Sequence, residues 1–191
     1  MLLYNFHTHH QNEGERAILQ GRDTWGIHPA EVTETMSVKE PPIDILAIGE
    51  CGLDRLAGTP YDLQLRAFRL QIEYSEQKGM PLIIHCVKAF DDLLRLRHEY
   101  NPQQPWIFHG FRGKPQQMRA LIERGFFISF GFRFNEESLI QCPPERLLIE
   151  TDADVRPIRI LYDDIAQRRQ TSIEALRKQM EINFKSLFSV L

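Results

Sequence analysis

The sequence predicts an α/β fold built on a parallel sheet, and three observations carry that expectation. From Ile43 onward, apolar runs of strand length alternate with segments of helical period. Glycine and proline punctuate the changes of period, at Gly79 and Pro81, Asn101-Pro102, Gly125 and Pro143-Pro144. Side chains suited to chemistry close the expected strands: five of the seven histidines (His7, His9, His28, His85, His109), with Glu50 and Asp152. Strands separated by helices pair in parallel, and parallel barrels keep their chemistry at the strand C-termini. If the sheet closes, these side chains converge on one mouth; an open doubly wound sheet would leave His7 and Asp152 far apart.

Taken in order, Leu2 to Phe6 is an apolar run ending in His7-Thr8-His9, and the period of a strand sends both histidines to one face. Gln11 to Arg16 is polar and loop-like, followed by the short apolar piece Ala17-Ile18-Leu19. Thr24 to His28 is expected as another short strand, closed by a His28-Pro29 turn, with no room for a helix before it. Pro41-Pro42 breaks the chain ahead of a strand from Ile43 to Ile48, which ends in Gly49-Glu50-Cys51-Gly52-Leu53-Asp54. The carboxylate there stands between two glycines, which permit close backbone approach.

Pro60 marks a helix start, and Leu63, Ala67, Leu70 and Tyr74 follow at helical spacing until Gly79. Strand Leu82-Ile83-Ile84 ends at His85. A helix carrying Leu93, Leu94 and Arg97 leads to strand Trp106-Ile107-Phe108 and His109. A helix from Gln116 to Arg124 precedes the strand from Phe126 to Phe130, and Leu147 to Thr151 ends at Asp152. The C-terminal helix carries the stripe Ile173, Leu176, Met180, Phe184 and Leu187, with Thr171 and Glu174 fitting a capping box.

With 191 residues, 42% hydrophobic and 26% charged, the chain supports one sizeable core, so residues 1–191 are expected to form a single domain. The net charge of -3 conceals 9 basic against 14 acidic residues through Arg95 and 14 against 12 beyond it, too mild a bias to identify a nucleic-acid binder unaided. Cys51, Cys86 and Cys142 are scattered, which argues against a disulfide framework or thiolate zinc site and for a reducing compartment. No leader or membrane-length apolar run is present. The expectation is a soluble cytoplasmic protein with no obligatory protein partner and no membrane contact.

Four imidazoles (His7, His9, His85, His109) and two carboxylates (Glu50, Asp152) suit zinc, manganese or nickel better than magnesium, which favours oxygen and ordered water. Six ligands exceed one open catalytic site. Two ions sharing a bridging carboxylate would use all of them and leave room for water, an arrangement suited to hydrolysis of phosphoesters and related bonds.

Six segments in order carry a resemblance: Phe6-His7-Thr8-His9, Gly26-Ile27-His28-Pro29, Ala47 to Asp54, Pro81 to Cys86, His109-Gly110-Phe111-Arg112-Gly113 and Glu150-Thr151-Asp152. Together they resemble the signature of the TatD family, metal-dependent deoxyribonucleases on a (β/α) barrel related to the amidohydrolases. The resemblance implies a shortened TIM-like (β/α) barrel of the metal-dependent hydrolase type. It further implies that His7, His9, Glu50 and Asp152 hold one divalent ion, that Glu50 bridges, and that His85 and His109 hold the second. Departures fall on other positions: Ala30 follows His28-Pro29 where a second histidine is usual, and Val87 stands where arginine is usual, with Lys88 beside it. Arg112 replaces a serine, and Asp154 stands in place of a proline after the last aspartate.

The remaining candidates divide by position. His28 is read as a substrate-pocket group, with Lys88 and Arg112 as further substrate-binding cations. Arg156 also suits a phosphate, although each of these cations is equally explained as a rim charge. Asp54 either orients a metal-bound group or terminates a turn. Cys51 and Cys86 are expected as small buried residues, and His10 and His98 as solvated ones. Asp152 is expected to act both as ligand and as general base, with Glu50 as the other catalytic carboxylate. The function expected is hydrolysis of phosphodiesters, DNA among them. The alternatives are a hydrolase of lactones, amides or small esters, or a metal-binding barrel that has lost catalysis.

Overall fold

The structure, a computed structural model, describes residues 2–10, 12–35 and 40–188. In chain order they form β1 (Leu3–Thr8), β2 (Glu15–Leu19), β3 (Thr24–Trp25), β4 (Ala47–Asp54), α1 (Tyr61–Lys78), β5 (Leu82–Val87), α2 (Phe90–Tyr100), β6 (Trp106–Phe108), α3 (Pro115–Ile122), β7 (Phe126–Phe130), α4 (Glu136–Gln141), β8 (Leu147–Ile149), α5 (Ile158–Arg168) and α6 (Ile173–Leu187). They gather into two units, residues 20–108 and residues 1–19 with 109–191.

In the unit of residues 20–108, β3, β4, β5 and β6 pair in that order, every pair parallel. The central strands are apolar along their length because both faces are covered. Helix α1 buries Ala67, Phe68 and Ile72, and it also buries Gln64 and Gln71. Those two amides lie seven residues apart, hence on one helix face, and each clamps a strand exit. The Gln71 Oε1 accepts from the Ile27 N–H at 2.7 Å, and its Nε2 donates to the Ile27 carbonyl at 3.3 Å. The Gln64 Oε1 accepts from the Asp54 N–H at 2.8 Å, while its Nε2 donates to the carbonyls of Asp54 and Thr59, each at 3.0 Å. Buried amides of this kind are stabilising only when both ends are bonded, which they are here. Gly79 ends α1 at φ 68°.

Two strands in this unit differ from expectation. The strand expected from Ile43 begins at Ala47 and continues through both glycines to Asp54, while Ile43 is 94% exposed. Its neighbour β3 is only two residues long and pairs Thr24 with Ala47 and Trp25 with Ile48, so the ladder begins at Ala47, with the Leu46 N–H donating to the Asp23 carbonyl at 2.7 Å just before it. Residues Gly26 to His28 lie beyond β3, and a turn of 3-10 helix at Pro29–Glu31 follows His28.

In the other unit, β1 pairs with β2 and β7 with β8, again in parallel, and Thr8 forms a parallel bridge to Asp152 just past β8. Helix α6 buries Leu176, Met180, Phe184 and Leu187. The Phe184 ring centroid lies 5.2 Å from that of Tyr4 and 5.4 Å from that of Phe6, so the C-terminal helix packs under the strand that carries His7. Helix α5 adds Tyr162, whose buried hydroxyl donates to the Tyr4 carbonyl at 2.9 Å and accepts the Tyr4 N–H at 3.1 Å.

Glu15 and Arg16, expected in a loop, belong to β2 because Leu3 and Tyr4 supply backbone partners for them; Gln11, at the start of that expected loop, lies outside the described residues. The cap of α6 is Ser172 rather than Thr171, its hydroxyl accepting the Ala175 N–H at 3.1 Å. Helices α4 and α5 had no counterpart in the sequence expectation.

Candidate metal centres

In the unit built on β1 and β8, His7, His9 and Asp152 come together. Each offers a ligand atom, and these atoms lie within 4.8 Å of one another. The Nε2 atoms of His7 and His9 stand 3.7 and 3.5 Å from Asp152 Oδ1. His7 is fully buried, whereas His9 and Asp152 are each more than a third exposed, so water reaches the group from one side.

The backbone sets this geometry. The Asp152 N–H donates to the His7 carbonyl at 3.0 Å, and the His9 N–H donates to the Asp152 carbonyl at 2.9 Å. Asp152 adopts a left-handed conformation, φ 55°, which aspartate tolerates better than most residues. Beneath it, Asn5 and Thr151 exchange two hydrogen bonds, Asn5 Nδ2 to Thr151 Oγ1 at 2.9 Å and Thr151 N–H to Asn5 Oδ1 at 3.1 Å. Both residues are buried, so sliding β1 against β8 would break both bonds in the interior. The β1–β2 register also shifts between Asn5 and Thr8, one extra residue that re-aims the side chains around His7.

His109 belongs to the same unit. Its ring centroid lies 4.9 Å from that of His7, and its Nδ1 lies 3.2 Å from Glu150 Oε1. The same oxygen accepts the Gly110 N–H at 2.6 Å. Glu150 has no solvent exposure. Burial alone would push its carboxyl up, but the bonded His109 imidazole and the charge of His7 outweigh burial and hold it below the ordinary glutamate value. A carboxylate that accepts Nδ1–H leaves Nε2 of His109 as the atom with a lone pair to offer.

The unit of residues 20–108 carries a second group, His28, Glu50 and His85, again with ligand atoms within 4.8 Å. Glu50 is buried; its Oε1 lies 2.8 Å from His85 Nδ1 and 3.5 Å from His28 Nε2. The other ring nitrogen of His85 is 3.3 Å from Asp54 Oδ2, and Asp54 Oδ1 accepts the Leu56 N–H at 2.7 Å, so Asp54 both orients the ring and closes the turn.

Two glycines make room for this group. A Cβ at Gly49 would sit 2.6 Å from the Ile83 carbonyl oxygen, and one at Gly52, φ 136°, would land on the His85 carbonyl. Between Ile48 and Cys51 the register with β5 shifts by one residue, a bulge at Gly49-Glu50 that re-aims the Glu50 side chain.

The bonding of His28 limits what it can do. The Ala30 N–H donates to His28 Nδ1 at 3.2 Å, which places the proton of the neutral ring on Nε2. In that tautomer Nε2 faces Glu50 as a donor, 3.5 Å away; an ion held by this group would take Nε2 in the other tautomer.

Lys88 and Arg112 are exposed, as are His10 and His98. Arg156 pairs with Asp154, not with Asp152. Cys51 is buried, but Cys86 is only partly so, correcting the expectation for the second. Burial pushes the thiols up, Cys86 and Cys142 to about 12 and Cys51 well above its ordinary value, which keeps all three protonated and poor as ligands or nucleophiles. Sequence reasoning assigned no role to Glu150, Gln64 or Gln71. Glu150 had a signal, a carboxylate directly continuing the apolar run Leu147-Leu148-Ile149.

Imidazole nitrogens and carboxylate oxygens gathered this closely fit divalent cations, two groups making two sites. Among the described residues no helix is long and apolar enough to cross a membrane. The family model described as TatD related DNase matches residues 11–189. The 3'-5' ssDNA/RNA exonuclease TatD of Citrobacter koseri is 33% identical over 190 residues, covering 88% of this chain and 73% of that protein. The corresponding exonuclease of Salmonella typhimurium is 33% identical over 174 residues, 80% of this chain and 66% of the relative. Among solved structures, the TatD homolog YJJV from Escherichia coli K12 superposes with a TM-score of 0.77 at 19% identity, over 95% of this chain and 79% of that one. A TatD family hydrolase from Entamoeba histolytica gives 0.65 at 18%, over 76% and 64%. These likenesses show the fold to be the TIM-like (β/α) barrel of TatD-type proteins. The chain belongs to the TatD related DNase family and is a divalent-metal-dependent hydrolase acting on ester bonds.

Proposed function

We propose that the chain hydrolyses phosphodiester bonds in nucleic acid, DNA among its substrates, and that it does so with two divalent ions, zinc, manganese, nickel or magnesium. The observation that carries this is the gathering of imidazoles and carboxylates in and just past the parallel strands of a chain in this family. By the motif order alone, His7, His9 and Asp152 would hold one ion and His85 and His109 the other, with Glu50 a ligand to both. Bound divalent ions supply a coordinated water of lowered pKa and neutralise charge developing on the phosphate.

The rest falls to the chain's own residues. Asp152 is the base: its partly exposed carboxylate can accept a proton, whereas a histidine bound through its lone pair cannot. The two backbone bonds to β1 hold that carboxylate in place while it does so. His28, with its proton on Nε2, donates to a phosphate oxygen. Lys88 and Arg112 attract the polyanion from the rim.

Asp152→Asn keeps the size and one coordinating oxygen but removes the base, so turnover of bis(p-nitrophenyl) phosphate should fall at least about a hundredfold. Metal content by elemental analysis should fall less. Near-normal turnover would refute the assignment. Glu50→Gln should lower the occupancy of both ions; loss of one alone would show that Glu50 does not bridge.

A further inference from the structure

The loops past β7 and β8 build a feature that the metal chemistry does not use, and one of its residues, Asp154, stands where the family pattern has a proline. The loop after β7 reads Gly131-Phe132-Arg133-Phe134-Asn135, and the loop after Asp152 reads Ala153-Asp154-Val155-Arg156. The Cζ of Arg156 lies 3.7 Å from the centroid of the Phe132 ring, a stacking distance. Asp154 holds that guanidinium with both oxygens: Nε donates to Oδ1 at 2.9 Å and Nη2 to Oδ2 at 2.6 Å, and the Arg156 N–H donates to Oδ1 at 3.0 Å. This fork-to-fork pairing is the most restrictive geometry an arginine adopts.

Exposed ion pairs of this kind stabilise a fold little, so the order imposed on Arg156 calls for another use. Its side chain is 51% exposed although it is pinned on one side by a ring and along one edge by a carboxylate. Phe132 is itself partly exposed, Arg133 is exposed, and Val155 is 72% exposed. Arg133 lies within charge range of the same Asp154 carboxylate that Arg156 binds. Two cations against one carboxylate leave the patch with one positive charge. A flat, immobilised, partly apolar surface with a spare cation beside it matches a nucleobase next to its phosphate.

We propose that Phe132 and Arg156 form a stacking platform for one base of a single-stranded nucleic acid, with Arg133 taking the neighbouring phosphate. This rests on the phosphodiesterase reading above. Asp154, in place of the family's proline, is the positioning residue that keeps the guanidinium flat. Asp154 lies two residues and Arg156 four residues beyond Asp152 in the same unit, so a base seated there hands its strand toward the proposed catalytic carboxylate. Because every base has a π-face, the platform selects single strands without selecting sequence.

The test compares two labelled thymidine oligomers of equal length, one complete and one carrying abasic sugars, both with phosphorothioate linkages that resist cleavage. Binding to the full chain with Mn²⁺ is followed by fluorescence anisotropy. The wild type should prefer the complete oligomer, and in Phe132→Ala that preference should drop by about tenfold, the scale of one lost base stack. Phe132→Trp should restore it. Arg156→Ala should act like Phe132→Ala, Asp154→Asn should give part of the loss, and Arg133→Gln should weaken both oligomers alike. An unchanged preference in Phe132→Ala and Arg156→Ala, or a wild type that binds both oligomers equally, overturns the platform. Failure of the wild type to cleave bis(p-nitrophenyl) phosphate would instead refute the phosphodiesterase reading while leaving the stacking result to stand as measured.

Discussion

Glu150 gives the sharpest test of how the buried framework serves the metal site. One of its oxygens, Oε1, accepts both the Gly110 N–H and the His109 Nδ1 proton, so the carboxylate holds the backbone turn and the imidazole at once. In Glu150→Gln the amide oxygen can accept the same two protons, and the amide nitrogen takes the buried place of Oε2, where the Ser129 hydroxyl can accept one of its protons, so the fold should change far less than in Glu150→Ala. The negative charge behind the ring is gone, however, and the ring becomes a poorer ligand. Loss of such a partner lowers metal affinity about 10- to 100-fold, which corresponds to about 1.4 to 2.8 kcal/mol. In Glu150→Ala both donors are orphaned in the interior at about 1 to 3 kcal/mol each, a large part of a total stability of about 5 to 15 kcal/mol. The two variants therefore separate by assay. Calorimetric titration with Zn²⁺ or Mn²⁺ should show the affinity loss in Glu150→Gln at nearly unchanged urea midpoint, and Glu150→Ala should lower the midpoint without metal. Metal affinity within twofold of wild type in Glu150→Gln would refute the idea that this carboxylate tunes His109.

Further outcomes follow from the unit of residues 20–108. Gly52→Ala places a methyl on the His85 carbonyl at φ 136°, and strain plus overlap should cost about 2 to 5 kcal/mol in urea unfolding. Gly58→Ala, with nothing within 4 Å, should stay within about 0.5 kcal/mol; equal effects would mean that the β4–β5 approach is not tight. Asp92 is held at about 2, first by the Tyr61 hydroxyl and then by Arg95 and Arg55. A depressed carboxyl contributes stability above its unfolded value and loses it as pH falls through the folded one. Asp92→Asn should therefore be less stable than wild type by about 1 to 2 kcal/mol at pH 5, with the gap closing between about pH 4 and 2; a gap constant across that range would contradict the assignment. His28→Gln should raise KM for a phosphodiester several-fold while leaving metal content unchanged; loss of one ion would make His28 a ligand after all.

The parts of this molecule that could be read from sequence are those set by period and punctuation. Pro60 and Gly79 bracket α1, Asn101 ends α2 in a left-handed cap, and the strands ending near His85 and His109 are short apolar runs with no competing pattern. What escaped depends on partners rather than on local chemistry. Whether Ile43 belongs to a strand is decided by the length of β3, and whether Glu15 does is decided by the backbone of β1. Helix α5 was within reach, since Ile158, Leu161, Tyr162 and Ile165 are buried at helical spacing, but its exposed charges obscured the stripe. The bulges near His7 and Glu50 leave no trace in period-two counting. They matter most for the site, because each adds a residue just where a ligand must be aimed.

The same distinction explains why the proposed ligands match the family while the rim does not. Asp152 cannot move without breaking two backbone bonds to β1, and His85 cannot move without displacing the chain at Gly52, which has no side chain to yield. A substitution at such a position disturbs register as well as chemistry, so metal binding and folding are lost together. Ala30, in the 3-10 turn, and Arg112 and Asp154, on loops, stand outside the strand ladders, Ala30 and Arg112 exposed and Asp154 partly so. No strand register depends on them, and a new side chain there alters what the site meets before it alters what holds the site. Substrate preference can therefore diverge from that of relatives at little cost to stability. The paired Asp154 and Arg156 show one such change making an ordered surface out of residues that the sheet does not need.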